Sequence, residues 1–104
     1  MVIVVLKVSY PPHKTEEIKK VVPELAKRYQ PDESIAEALV RGAGRSTDIG
    51  YEGMNVWKVK EGQLDKLITR ILSGMSMFRN VEGHRWSIET WATAEEMAAS
   101  GLPV

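Results

Sequence analysis

Few residues in this chain are able to do chemistry. Cysteine is absent, which removes thiolate nucleophiles, disulfides and zinc–thiolate sites together. The two histidines, His13 and His84, have no local spacing as a metal pair, and neither has a carboxylate beside it in sequence. No metal site and no cofactor are therefore expected. His13 follows two prolines in a loop and reads as a solvated residue. In a catalytic reading it could act as a general base at a cavity mouth, with Glu89 as the other proton carrier. His84 shares the alternation of Trp86 and Ile88 and is expected at the edge of a core.

The arginines offer a second chemistry. Guanidinium forks match carboxylate geometry, so Arg41, Arg45 and Arg85 could clamp an anion. An inter-strand network, Arg85 with Glu37 or Arg41 with Glu89, accounts for the same residues without a ligand, and Arg45 reads as solvated. Glu37 and Glu89 could split into acid and base if their surroundings separated their pKa values. Of the three tryptophans, Trp86 is expected in the core and Trp91 in a cavity wall or subunit seam, with Trp57 a further possibility for that wall. The run GAGRSTDIG lacks the GK[ST] ending of a phosphate loop and leads into a strand; it is read as an exposed hairpin connection.

The elements that position these groups follow from periodicity. Val2 to Ser9 is almost continuously β-branched, as in a strand from the middle of a sheet. Thr15 is the expected N-cap of a helix carrying Ile18, Val21, Val22, Leu25, Ala26 and Tyr29 on one side, with Pro23 kinking or restarting it. Ser34 to Gly42 forms a second strand. A third runs from Ile49 or Gly53 to Lys60, with its inward face undecided between Asn55/Trp57/Val59 and Met54/Val56/Lys58. Leu64, Leu67, Ile68, Ile71, Leu72 and Met75 repeat the helical stripe, and Met77, Phe78 and Val81 fold back over the core. The stretch GHRWSIETW, Gly83 to Trp91, is the fourth strand. Thr93 to Glu96 matches a capping box that starts a short final helix.

Strand, helix, strand, strand, helix, strand predicts an α+β, ferredoxin-like βαββαβ sandwich. A four-stranded antiparallel sheet carries two helices on one face, plus a short C-terminal helix. Residues 1–92 make the domain and 93–104 an extension. The other sheet face is then uncovered and holds Ile3, Val5, Lys7, Glu37, Leu39, Arg41, Arg85, Glu89 and Trp91, with Asn55 and Trp57 as possible additions. Such a mixed face is unfavourable in water as an apolar patch and unfavourable in dry protein because of its ions. Two copies meeting face to face around a partly wet cavity would satisfy both demands.

The element order, the GMNVWKV strand running into EGQLDKLITRIL, and the closing WSIETW together resemble small dimeric α+β-barrel proteins over residues 2 to 91. That superfamily includes uncharacterised stand-alone domains, muconolactone-isomerase-like enzymes and cofactor-free monooxygenases. The resemblance implies a homodimer through the open sheet face.

Fourteen basic and fourteen acidic residues cancel, so no field for phosphate-backbone binding arises. RNA recognition motifs share the topology but need aromatics that VIVVLKV lacks. Nucleic acid is excluded as a partner. MVIVVLKV has no basic leader or cleavage site, and no run is long enough to span a bilayer; a cytoplasmic protein without membrane partners is expected. The functional expectation is a homodimeric small-molecule-binding or structural protein. Its ligand would be anionic or aromatic and lie among Lys7, Glu37, Arg41, Trp57, Arg85, Glu89 and Trp91. A cofactor-independent isomerase or monooxygenase acting on such a metabolite is the alternative.

Overall fold

The computed structural model describes residues 1–102. β1 (Ile3–Tyr10) is followed by one 3-10 turn and α1 (Thr15–Arg28), then β2 (Ala36–Thr47), β3 (Gly50–Val59), α2 (Leu64–Met75), a second 3-10 turn, β4 (Arg85–Trp91) and α3 (Ala94–Ala99). The strands form one sheet in the order β2-β3-β1-β4, with every neighbouring pair antiparallel. This is the expected ferredoxin-like α+β architecture.

The core lies where the β-branched run of β1 meets the helices. Val4 and Leu6 of β1 and Val59 of β3 are buried with Ile18 of α1 and with Leu67, Ile71 and Met75 of α2. Phe78 and Val81 fold back to close one end, as their apolar character predicts. Burying each such side chain contributes about 1.5–3 kcal/mol. Fixing each residue's backbone costs about 1–2 kcal/mol, so neither helix is stable away from the sheet.

The two helices are fastened where α1 ends. A Cβ on Gly74 would fall 2.9 Å from Leu25 Cδ1, so the bare glycine allows α1 its close approach to α2. Arg70 of α2 donates to the Gln30 carbonyl at 2.6 Å and lies over the Tyr29 ring, 5.7 Å from its centroid.

Local details depart from the sequence expectation in three places. Thr15 is the first helical residue and not the cap: its hydroxyl donates to the Pro12 carbonyl of the preceding 3-10 turn. Pro23 lies within a helix that runs uninterrupted to Arg28. The glycine-rich stretch from Gly42 is strand, not loop, because β2 stays paired with β3 as far as Thr47↔Gly50 and the hairpin turns over Asp48 and Ile49. The capping box at Thr93 is formed in both directions.

Candidate functional site

Register decides which side chains share a surface. Val4 pairs with both Trp57 and Thr90, and Val5 with both Val56 and Glu89. Val4 is buried, so even-numbered β1 residues and their partners face the helices. The opposite, open face therefore carries Ile3, Val5 and Lys7 of β1, Met54, Val56 and Lys58 of β3, and Arg85, Ser87, Glu89 and Trp91 of β4. Glu37, paired with Lys58, and Val40, paired with Val56, join them from β2, and the half-exposed Leu39 lies at the register shift between them.

On that face Glu89 is already engaged. Its carboxylate lies 3.3 Å from Lys7 Nζ and accepts a hydrogen bond from Trp91 Nε1 at 3.2 Å. Neither expected inter-strand pair forms. Glu37 lies level with Ile3 and Trp91 at one end of the sheet, Arg85 lies level with Ser9 at the other, and β1 and β3 separate their strands. Arg45 pairs instead with Glu52, its cross-strand partner, at 2.8 Å.

Arg41, assigned to the open face, and Asn55 and Trp57, its possible additions, belong to the other side. Trp57 pairs with Val4 and Ala38 and packs against the core beneath the helices. Arg41 is re-aimed by backbone irregularity. The β2–β3 register shifts between Ala38 and Val40 and again between Val40 and Ala43. An extra residue in one strand breaks simple alternation. Arg41 then lines the helix-side cavity beside Asn55 and Trp57, and its guanidinium lies 3.7 Å from Glu33. Trp86 shares the helix side with Val8 but is 41% exposed at the sheet edge, so it is not a core residue.

A concavity of about 830 Å3 lies within the chain, between α1 and the β2–β3 half of the sheet. Its walls are mainly apolar: Leu6, Val8, Ala36, Ala38 and Trp57 from the sheet, and Ile18, Val22 and Leu25 from α1, with Leu67, Ile71 and Met75 of α2 reaching it. Polar side chains also line it. Tyr10 and Tyr51 are cross-strand partners with ring centroids 5.6 Å apart. Asn55 Oδ1 accepts from the Gly42 N–H at 2.9 Å, which fixes the amide and turns its NH2 away from that bond. His84 stacks on Phe78 at 4.4 Å, and burial lowers its pKa, favouring the neutral imidazole. Asp32 and Glu33 edge the mouth. Hydrogen bonds from the Ser34 side chain and then its backbone N–H hold the Asp32 carboxyl below its ordinary value.

Of the residues singled out in the sequence, the cavity thus gathers Arg41, Arg45, Asn55, Trp57 and His84. Lys7, Glu37, Arg85, Glu89 and Trp91 stay on the open face, and His13 is exposed outside the cavity lining. Tyr10, Tyr51 and the amide of Asn55 were not expected together. Only the β3 register, which puts Asn55 and Trp57 beneath the helices, reveals them. Among the described residues no three His, Asp or Glu side chains converge as a metal site. No helix there is long and apolar enough to cross a membrane.

Solved structures that share this fold include two of similar size. One is described as a putative antibiotic biosynthesis monooxygenase from Deinococcus radiodurans, with a TM-score of 0.60 and 9% identity over 90% of this chain and 93% of that one. The other is the de novo designed protein Foldit4, with a TM-score of 0.55 and 17% identity over 88% of this chain and 97% of that one. At these identities the likeness is one of fold. No protein-family profile and no curated protein sequence matches the chain.

Proposed function

We propose that this chain is a homodimeric small-molecule-binding protein. In this reading the ligand lies in the cleft of each protomer and the open sheet face forms the subunit seam. The observation that carries it is the cavity of about 830 Å3 beneath α1. That volume falls within the roughly 300–1,000 Å3 of ligand pockets, and an apolar wall with a few polar groups is their usual lining. The proposed seat of the ligand is therefore the helix side and not the space between two sheets. The seam reading rests on the open face: Ile3, Val5 and Val56 are only half-buried in the protomer, and Leu39 and Trp91 are 49% and 57% exposed. Lys7 and Glu89 enter that seam already paired, which lowers the cost of covering them.

Thermal-shift screening with aromatic and aliphatic acids, amides and alcohols tests the binding reading. A ligand at a hundred times its Kd stabilises by about 2.7 kcal/mol, or several degrees in Tm for a chain of this length. The shift should vanish in Ala38→Phe, which fills the cleft beside Trp57. No stabilisation by any compound at high excess overturns this reading.

A cofactor-independent enzyme is the second reading, favoured by one observation: the half-buried His84 imidazole lies at the cavity wall, where burial lowers its pKa and so favours the neutral form, the state a general base needs. Glu89 is engaged by Lys7 and Trp91, and His13 lies outside the cavity. The catalytic role proposed here therefore moves to His84. Exchange of an acidic C–H of a bound ligand with deuterated solvent, lost in His84→Phe with binding retained, is the corresponding assay.

A further inference from the structure

Resting on the cleft as the ligand site, we propose that Arg41 is the anchor for a carboxylate at its mouth, so that the cleft selects apolar carboxylic acids. Three arginines reach the cavity lining: Arg41, Arg45 and Arg70. Two are committed. Arg70 donates to the Gln30 carbonyl and covers Tyr29. Arg45 directs both Nε and a terminal nitrogen at Glu52 Oε2, at 2.9 and 2.8 Å.

Arg41 differs. Among the described residues its one carboxylate within 4 Å, Glu33, lies at 3.7 Å, beyond hydrogen-bond distance, and its guanidinium donates no hydrogen bond there. Both side chains of that pair are largely exposed, 62% and 66%, where an ion pair contributes little. Five N–H donors in a planar fork therefore stand unsatisfied by protein at the rim of an apolar cavity. Glu33 can be displaced at small cost. Asp32 beside it is held by Ser34 and does not compete for the arginine.

The backbone supports the assignment. Unbroken alternation would send Arg41 to the open face, and the register shifts on both sides of Val40 put it at the cleft. Irregularities of this kind commonly re-aim one side chain next to a site. A ligand whose apolar body fills the space between α1 and Trp57 would bring its carboxylate to Arg41. There it would exchange a loose ion pair for two charge-assisted hydrogen bonds.

Isothermal titration with two matched pairs tests this: dodecanoic acid against dodecanamide, and 2-naphthoic acid against 2-naphthamide. In the unmodified protein at least one acid should bind about tenfold or more tighter than its amide. Arg41→Gln should abolish that preference with little effect on the amide, Arg41→Lys should restore part of it, and Glu33→Gln should tighten the acid a few-fold. Arg41 is exposed, so Arg41→Gln should keep the far-UV spectrum and Tm of the parent. Equal binding of acid and amide overturns the anchor but leaves the cleft as a binding site. A preference that survives Arg41→Gln places the anchor elsewhere and also overturns it. Failure of all four compounds to bind overturns the anchor, and a further failure of the wider screen would overturn the cleft reading beneath it.

Discussion

Replacing Gly50 by alanine should be among the most damaging single-atom changes available to this protein. Gly50 opens β3 directly after the hairpin turn and is buried against the end of β1. A Cβ built there collides with the Tyr10 carbonyl oxygen and falls 3.2 Å from its carbon and 3.3 Å from Pro11 Cα. All three atoms are main chain, and Pro11 has a fixed φ, so no side chain can swing aside. Gly50 also has φ near +154°, a region that costs a non-glycine residue about 1–3 kcal/mol. Relief of overpacking costs about 1–3 kcal/mol more. The expected loss is therefore about 2–6 kcal/mol, a fall in Tm of at least about 10 °C for a domain of this size. Gly62→Ala is the control: φ is +75° but nothing lies within 4 Å of the added carbon, so only the backbone cost of about 1–2 kcal/mol applies. Urea and thermal unfolding of both variants measure the difference. If Gly50→Ala unfolds within two or three degrees of Gly62→Ala, as an approximate bound on that comparison, the close approach of the hairpin to β1 is wrong.

Two further outcomes follow from surfaces described above. Val5→Lys introduces a charge at the middle of the open face, opposite Val56 and Glu89. In a two-fold seam the change occurs twice and removes about 1.5–3 kcal/mol per copy, so Kd for dimerisation should rise about a hundredfold or more while the protomer's spectrum is kept. Sedimentation equilibrium decides this, and a variant that associates like the parent moves the seam elsewhere. Thr93→Ala removes the cap of α3 and should cost about 0.5–2 kcal/mol near neutral pH. Hydrogen bonds, first from the Thr93 backbone N–H, hold the Glu96 carboxyl below its ordinary value, and the N-terminal ammonium lies 3.4 Å away. A lowered carboxyl pKa stabilises the fold above the unfolded-state value, and the contribution is lost as pH falls through the folded-state value. Alanine keeps the backbone bond to that carboxylate and loses only the hydroxyl's, so the gap between parent and variant should narrow slightly on acidification below the ordinary carboxylate range, as read by urea unfolding at several pH values.

Much of the architecture was legible because each element carries its own period. The β-branched run of β1, the matching stripes of α1 and α2 and the alternation of β4 sufficed for the element order and for the contents of the open face on β1 and β4. The candidate site was far less legible, for two physical reasons. Both faces of β3 mix apolar with polar residues, Asn55 and Trp57 on one and Met54 and Lys58 on the other, so hydrophobicity could not orient the strand. In β2 the shifts around Val40 break the alternation that placed Arg41, and Gly42-Ala43-Gly44 has the composition of a turn while making a ladder with β3. Pairing with a neighbour outweighed local preference there. Trp86 misleads differently: its strand has the pattern of a core strand but occupies the sheet's rim, where one side of an indole meets water.

Those same dislocations bear on how copies of the chain can meet. β2 is a border strand twelve residues long, the kind of bare ribbon on which another molecule could otherwise add strand by strand. Kinked twice and poor in large side chains past Arg41, it offers an incoming chain no long straight run of donors and acceptors. Lateral growth into fibres is thereby discouraged along that margin.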